Sequence, residues 1–133
     1  MRRINYPHPD ADGNLGELLV VDIPSGEVKW RYRSRAPINT AALTTAGGLV
    51  FVGDWNRYMY AFDTDTGEML WKTRVPTSAQ GFPITYMVDG KQYVAMPVGV
   101  GGASWSNMLP RDLAPELSRP LNGNSIHVFA LPN

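Results

Sequence analysis

Asp22 to Trp30 reads DIPSGEVKW, and Asp63 to Trp71 reads DTDTGEMLW. Asp, Gly, Glu and Trp recur at a constant offset of 41 residues, and Ser25 is answered by Thr66. Each copy follows an apolar, strand-like run, LLVVD up to Asp22 and MYAFD up to Asp63. A glycine supplies the positive φ of a tight turn, and Asp and Ser/Thr side chains bond turn amides. Each copy therefore reads as a strand, a turn and a second strand that ends in tryptophan.

Between the copies, Ala41 to Asp54 (AALTTAGGLVFVGD) places Gly47-Gly48 between two β-prone runs, in the manner of a two-residue hairpin turn. Ile84 to Met96 (ITYMVDGKQYVAM) echoes it, with Asp89-Gly90 as the turn and Tyr93 standing 42 residues after Phe51. Two hairpins, or four strands, in roughly 41 residues make the unit of a β-propeller blade. A final run, Ser125 to Leu131 (SIHVFAL), puts Phe129 67 residues after Phe62, and the surplus falls in Gly99 to Asn124. That insertion is rich in Gly, Pro and Ser, with a helical turn expected around Arg111 to Leu117 and broken by Pro115. Long loops in compact domains often carry function.

The fold expected is all-β: a partial β-propeller of about two and a half to three four-stranded blades with little helix. Residues 1–133 form a single propeller segment. It divides into an N-terminal extension over 1–15, a first-blade hairpin over 16–35, a complete blade over 40–75 and a last blade over 81–131 with the long loop 99–124. Trp30, Trp71, Gly26 and Gly67 take structural roles, because a flat indole stacked on a peptide plane of the next blade buries a large apolar area.

Composition narrows the function. A hydrophobic fraction of 44% is enough for a core, and 18% charged residues argues against disorder. Twelve Lys and Arg against twelve Asp and Glu remove the net pull on which nucleic-acid and anionic-membrane binding depend. Without cysteine there is no disulfide, no thiolate metal site and no thiol nucleophile. Thirteen Gly and eleven Pro, spread along the chain, leave few windows for a long helix. The opening MRRINYPHPDADGNLG has no apolar run ahead of a cleavage site, so it reads as carrying no secretory signal. No later apolar run approaches the roughly 20 residues of a membrane span.

Several polar residues read as structural. His8 and His127 stand alone, without the carboxylate or serine arrangement of a catalytic pair. Asp10, Asp12 and Asn14 are spaced as in a calcium loop, yet Leu15 holds the place of the sharp-turn glycine and Val21 that of the bidentate glutamate, which leaves a polar turn. Asp63 and Asp65 belong to the recurring turn before Gly67. No catalytic or metal-ligating residue is assigned.

Ala61 to Trp71 fits the tryptophan-docking pattern A-x-D-x-x-T-G-x-x-x-W, and Val20 to Trp30 fits it with Val for Ala and Ser for Thr. Three segments follow in order: TTAGGLVFVGD from Thr44, PITYMVDGKQYVA from Pro83 and GVGGA from Gly99, before a terminal VFALP. Over roughly Gly16 to Pro132 the chain resembles the C-terminal blades of pyrroloquinoline quinone (PQQ)-dependent alcohol and methanol dehydrogenases. The resemblance implies an eight-bladed propeller, at least ~330 residues at this repeat length, of which the chain supplies about a third.

It further implies a quinone near the propeller axis, covered by a tryptophan and by a ring formed from adjacent cysteines, with calcium or a lanthanide beside it. The adjacent cysteines, the Glu and Asn metal ligands and the catalytic Asp have no counterpart here. The expected role is a contribution to the quinone pocket for primary-alcohol oxidation, incomplete alone. The positions that carry over as cofactor-binding are Asn39, which otherwise reads as a strand-initiating loop residue, and Gly101, Gly102 and Ala103, otherwise an unusual turn. Thr40 and Ala41 replace the two glycines that follow Asn39 in the family. The remaining blades would come from another chain or from self-association, and the compartment implied is the periplasm. The alternative is a non-enzymatic propeller module for binding or assembly.

Overall fold

The computed structural model describes residues 5–100 and 109–130. Among the described residues nine strands form three antiparallel sheets. The first sheet pairs β1 (Gly16–Val21) with β2 (Val28–Ser34). The second runs β3 (Leu43–Thr44), β4 (Leu49–Gly53), β5 (Tyr58–Asp63) and β6 (Met69–Arg74) in sequence order. The third runs β7 (Ile84–Val88), β8 (Lys91–Val98) and β9 (Ser125–Ala130). Among the described residues helix is confined to a 3₁₀ turn at Pro9–Ala11 and to α1 (Leu109–Leu113). The architecture is all-β and of propeller type.

The second sheet lies between the other two, and its sequence shows why. β4 and β5 are apolar without alternation, as strands covered on both faces are. Val50, Val52, Tyr60 and Phe62 pack against Leu18, Trp30 and Tyr32 of the first sheet. On the opposite face Phe51 and Ala61 meet Val94 of the third sheet, and Met59 meets Met96 and Val98. β1, β2 and β9 each have a single covered face, so exposure alternates along them.

Two short stretches join the sheets along their inner edge. Residue Ile38 bridges Asp54, Thr40 bridges Gly81 in parallel, and Ala79 bridges Val98. The approach is close enough to require glycine at position 53, where a Cβ would stand 2.4 Å from the Ala79 Cβ.

Two local expectations are modified. Gly48 has φ +76 and Gly47 does not enter the left-handed region; Gly48 N donates to Thr45 O (3.1 Å) and Thr45 N to Leu49 O (2.9 Å). The β3–β4 connection is thus a three-residue loop closed by a left-handed glycine, whereas Asp89 (φ 48) and Gly90 (φ 75) make the two-residue turn. α1 ends at Leu113 instead of running to Leu117, because the residue before Pro115 is driven from helical toward extended backbone. Asp10, Asp12 and Asn14 form a turn closed on itself, with Asp12 left-handed and Asn14 Nδ2 donating to Ala11 O (2.9 Å).

Candidate functional site

The two repeated turns are built by the same bonds. Asp63 Oδ1 accepts from Thr66 N (2.7 Å) and Thr66 Oγ1 (2.9 Å), and Gly67 N donates to Asp63 O (3.0 Å). Asp22 Oδ2 accepts from Ser25 Oγ (2.7 Å) and Ser25 N (3.0 Å), and Gly26 N donates to Asp22 O (2.7 Å). These donors favour the charged form and hold both carboxyls below the ordinary Asp value: the Ser25 hydroxyl first for Asp22, the Thr66 amide first for Asp63.

What the turns carry differs. Trp30 Nε1 donates to Thr64 O (2.8 Å), and its ring lies so close to Gly67 that a Cβ there would stand 2.7 Å from Trp30 Cδ2. The first sheet is thereby seated on the turn of the second. At Gly26 the φ is the same within two degrees (+73 against +75), but nothing lies within 4 Å of where a Cβ would be. Trp71 meets Phe129 edge-on at 5.1 Å and lines an apolar groove of about 560 Å³ with Leu70, Val128 and Ala130.

Asn39 lies on the inner edge between the second and third sheets. Its amide N donates to Gly53 O (3.1 Å), and Ala41 N donates to Gly81 O (3.0 Å). Both Nδ2 and Oδ1 of Asn39 are enclosed without a hydrogen-bond partner among the described residues, as is Nε1 of Trp55, whose backbone N donates to Pro37 O. A buried donor or acceptor left unpaired costs about 1–3 kcal/mol, so the Asn39 NH₂ and carbonyl are hydrogen-bonding groups that the described fold does not use. Beside it Asp54, 1% exposed, accepts from Tyr58 N (2.9 Å) and from the Tyr60 hydroxyl (2.7 Å). Burial pushes the Asp54 carboxyl up against those donors, and pushes the Tyr60 hydroxyl up as well, with the Asp54 charge adding to it.

The chain leaves β8 at Gly99 through a tightly bonded neck. Ser78, fully buried, accepts Gly99 N at its carbonyl (3.0 Å) and donates its hydroxyl to Gly99 O (2.9 Å). Arg119 Nη1 and Gln80 Nε2 both donate to the same Ser78 Oγ, each at 2.9 Å. Arg119 reaches Gly99 O at 3.3 Å and lies over the Trp55 ring, 5.1 Å from its centroid. Burial, followed by the like charge of Arg111, lowers the Arg119 guanidinium from its ordinary value. Farther along, Arg35 donates to Leu113 O, Gly13 O and the Glu116 carboxylate, which ties the insertion to the end of β2.

Gly101, Gly102 and Ala103 lie outside the described residues; the described chain brings Gly99 against Ser78, at the start of the stretch that bridges to Thr40 through Gly81. His127 Nε2 sits 3.0 Å from Ser125 Oγ on β9, and His8 Nδ1 accepts from Asp10 N (3.2 Å); neither joins Asn39. Among the described residues no three His, Cys, Asp or Glu side chains cluster to hold a metal ion, and no helix is long and apolar enough to cross a membrane. Sequence patterns missed Ser78 and Arg119, which stand outside both repeats and meet only through the return of the insertion.

Residues 13–94 match the PQQ family described as glucose/ethanol/alcohol dehydrogenase, beta-propeller domain. The chain is 39% identical over 125 residues to a quinoprotein ethanol dehydrogenase of Pseudomonas aeruginosa, covering 92% of this chain and 19% of that protein. It is 42% identical over 101 residues to methanol dehydrogenase [cytochrome c] subunit 1 of Methylobacterium organophilum, covering 73% and 16%. Among solved structures, a europium-containing methanol dehydrogenase superposes with a TM-score of 0.71 at 30% identity over 86% of this chain and 23% of that one. The chain thus spans about a fifth of the length of the curated relatives it matches. With its paired turns, its three stacked sheets and a match over most of its length, the chain belongs to the PQQ-dependent alcohol dehydrogenase β-propeller family.

Proposed function

We propose that the chain forms the C-terminal blades of a PQQ-dependent alcohol dehydrogenase and supplies one wall of its quinone pocket. Asn39 carries this reading: its enclosed amide has no hydrogen-bond partner among the described residues, and its N–H donors fit a planar quinone whose rim bears carbonyl and carboxylate oxygens. The glycine-rich stretch Gly101 to Ala103 would lie against the same group, where bare backbone permits close approach. PQQ, when bound, accepts hydride from the alcohol carbon. Asn39 would hold and orient it, and the base and the calcium or lanthanide ligands would belong to the remaining blades.

In this reading residues 16–35, 40–75 and 81–131 are parts of three successive blades, with 1–15 an extension and 99–124 a long loop within the last. The open Gly26 turn, twin to the one that seats Trp30, supports a further blade on the first sheet; so does the β9 edge beside Trp71 on the third. Those blades come from a longer chain or from another copy or chain, and the working compartment is the periplasm.

The test is a chimera in which residues 13–130 replace the matching stretch of the Pseudomonas aeruginosa enzyme. The chimera is expected to retain PQQ and to oxidise ethanol, and Asn39→Ala to raise the quinone dissociation constant about tenfold, the worth of one buried polar contact. A folded chimera that holds no quinone would remove the reading and leave a blade module for binding or assembly.

A further inference from the structure

We propose that Arg119 is a positioning residue, which holds the Gly99–Val100 backbone at the inner edge of the third sheet by locking the hydroxyl of Ser78. A serine hydroxyl has one proton to donate and two lone pairs to accept with. Here all three are committed: the proton to Gly99 O at 2.9 Å, and the lone pairs to Gln80 Nε2 and Arg119 Nη1, each at 2.9 Å. The hydroxyl therefore has one orientation, and that orientation fixes the Gly99 carbonyl, whose amide is already bonded to Ser78 O (3.0 Å). Both backbone groups of Gly99 are thus held by one buried residue.

Arg119 is held in turn from behind. Its guanidinium lies over Trp55, itself 5% exposed, and the neighbouring Pro120 carbonyl accepts the Thr77 hydroxyl (2.8 Å). On the return side, Asn124 Oδ1 accepts Val100 N (3.0 Å) and would stand 3.0 Å from a Cβ at Gly99, so a larger residue there would press on the side chain that holds Val100. The charged group that acts on the guanidinium is Arg111, of like sign, and none of the ion pairs among the described residues includes Arg119. A half-buried guanidinium with no carboxylate is spent on geometry: on a hydroxyl, a carbonyl and an aromatic face.

The significance of the lock rests on the quinone-pocket reading, since the bridging stretch Ala79 to Gly81 separates Gly99 from the Asn39 stretch by one ladder step on each side, about 5 Å each. The anchor itself is tested without quinone, by amide hydrogen exchange on the full 133-residue chain. Arg119→Ala is expected to speed exchange at Gly99 and Val100 about tenfold, with β4 to β6 unchanged, because a local tie is lost while the global structure persists. Arg119→Lys, which keeps a cationic N–H donor, is expected to restore most of the protection, and Ser78→Ala to reproduce the alanine effect. Unchanged exchange at Gly99 and Val100 in Arg119→Ala overturns the proposal, as does acceleration spread evenly over the sheets. In the chimera, the quinone dissociation constant is expected to rise in Arg119→Ala and recover in Arg119→Lys. If exchange responds and quinone binding does not, the anchor stands and the quinone-pocket reading falls.

Discussion

Gly26 and Gly67 form a matched pair that separates backbone strain from docking. Both have φ near +75, both sit in a turn closed by an Asp carboxylate and a Ser or Thr hydroxyl, and they differ only in what lies above them. An L-residue in the left-handed region costs about 1–2 kcal/mol, and Gly26→Ala is expected to lose no more than that. Gly67→Ala meets the same strain and also drives a methyl to within 2.7–3.0 Å of three Trp30 ring atoms. Overpacking of that kind costs about 1–3 kcal/mol, and moving the indole strains its 2.8 Å bond to Thr64 O, worth about 1 kcal/mol net. Gly67→Ala should therefore be less stable than Gly26→Ala by about 2 kcal/mol. Equilibrium urea unfolding, followed by tryptophan fluorescence, reads the difference directly. Equal losses in the two variants would refute the claim that Trp30 seats the first sheet on the second.

Trp30→Phe retains a ring over Gly67 but gives up the N–H to Thr64 O, and should cost about 1 kcal/mol in the same assay. Gly53→Ala places a methyl against the Ala79 Cβ on the inner edge and should cost about 2–3 kcal/mol or more, whereas a neutral result would contradict the close approach of the two stretches. The three turn and core carboxyls should titrate in a fixed order by NMR, with Asp22 and Asp63 below the ordinary Asp value and Asp54 above it. Because the Asp54 folded pKa is raised, its contribution to stability is full below the unfolded value of about 3.9 and is lost as pH rises through the folded one; Asp22 and Asp63 contribute above that value and lose it as pH falls. Relative to Asp54→Asn, the wild-type chain should lose stability from about pH 4 upward, and a wild-type advantage that grows over that interval would reverse the assignment.

The parts of the fold legible in the sequence are those fixed by short-range chemistry. The docking turns declare themselves because Asp, Ser/Thr and Gly are each required at one place, and the offset of 41 then counts the sheets. The Asp89-Gly90 hairpin is legible for the same reason, while Gly47-Gly48 misleads: two glycines permit a two-residue turn without requiring one, and the chain uses one left-handed glycine in a three-residue loop. The inner stretches around Thr40 and Gly81 leave no signature, since each rests on isolated bridges too short to impose alternation. Asn39 is reachable only through resemblance, since the enclosure of its unpaired amide is a property of the folded inner edge and not of any local pattern. Ser78 and Arg119, 41 residues apart, meet because the insertion folds back, and no local pattern encodes that return.

The two outer faces of the stack are not equivalent, and the difference bears on what covers them. Cross-strand partners share a face, so Ile84, Ala95 and Val128 lie together on the third sheet, with Pro97 and Ile126 beside them. Ile84 is 56% exposed, Ile126 71% and Val128 50%. On the second sheet the corresponding face, with Phe51, Ala61 and Trp71, is covered by the third. An apolar sheet face of this composition is stabilised when covered, by about 25 cal/mol for each Å² removed from water. The outer face of the first sheet is different: Glu17 sits between Arg33 (2.8 Å) and Arg31 (3.5 Å), with Leu19 and Val21 alongside. A second copy stacked head to tail would bring the apolar third-sheet face against this charged triad and desolvate it, which costs more than an exposed ion pair returns. A blade with its own apolar inner face meets no such opposition on the third sheet. The surfaces therefore favour different neighbours at the two ends, as a longer, non-identical set of blades would supply.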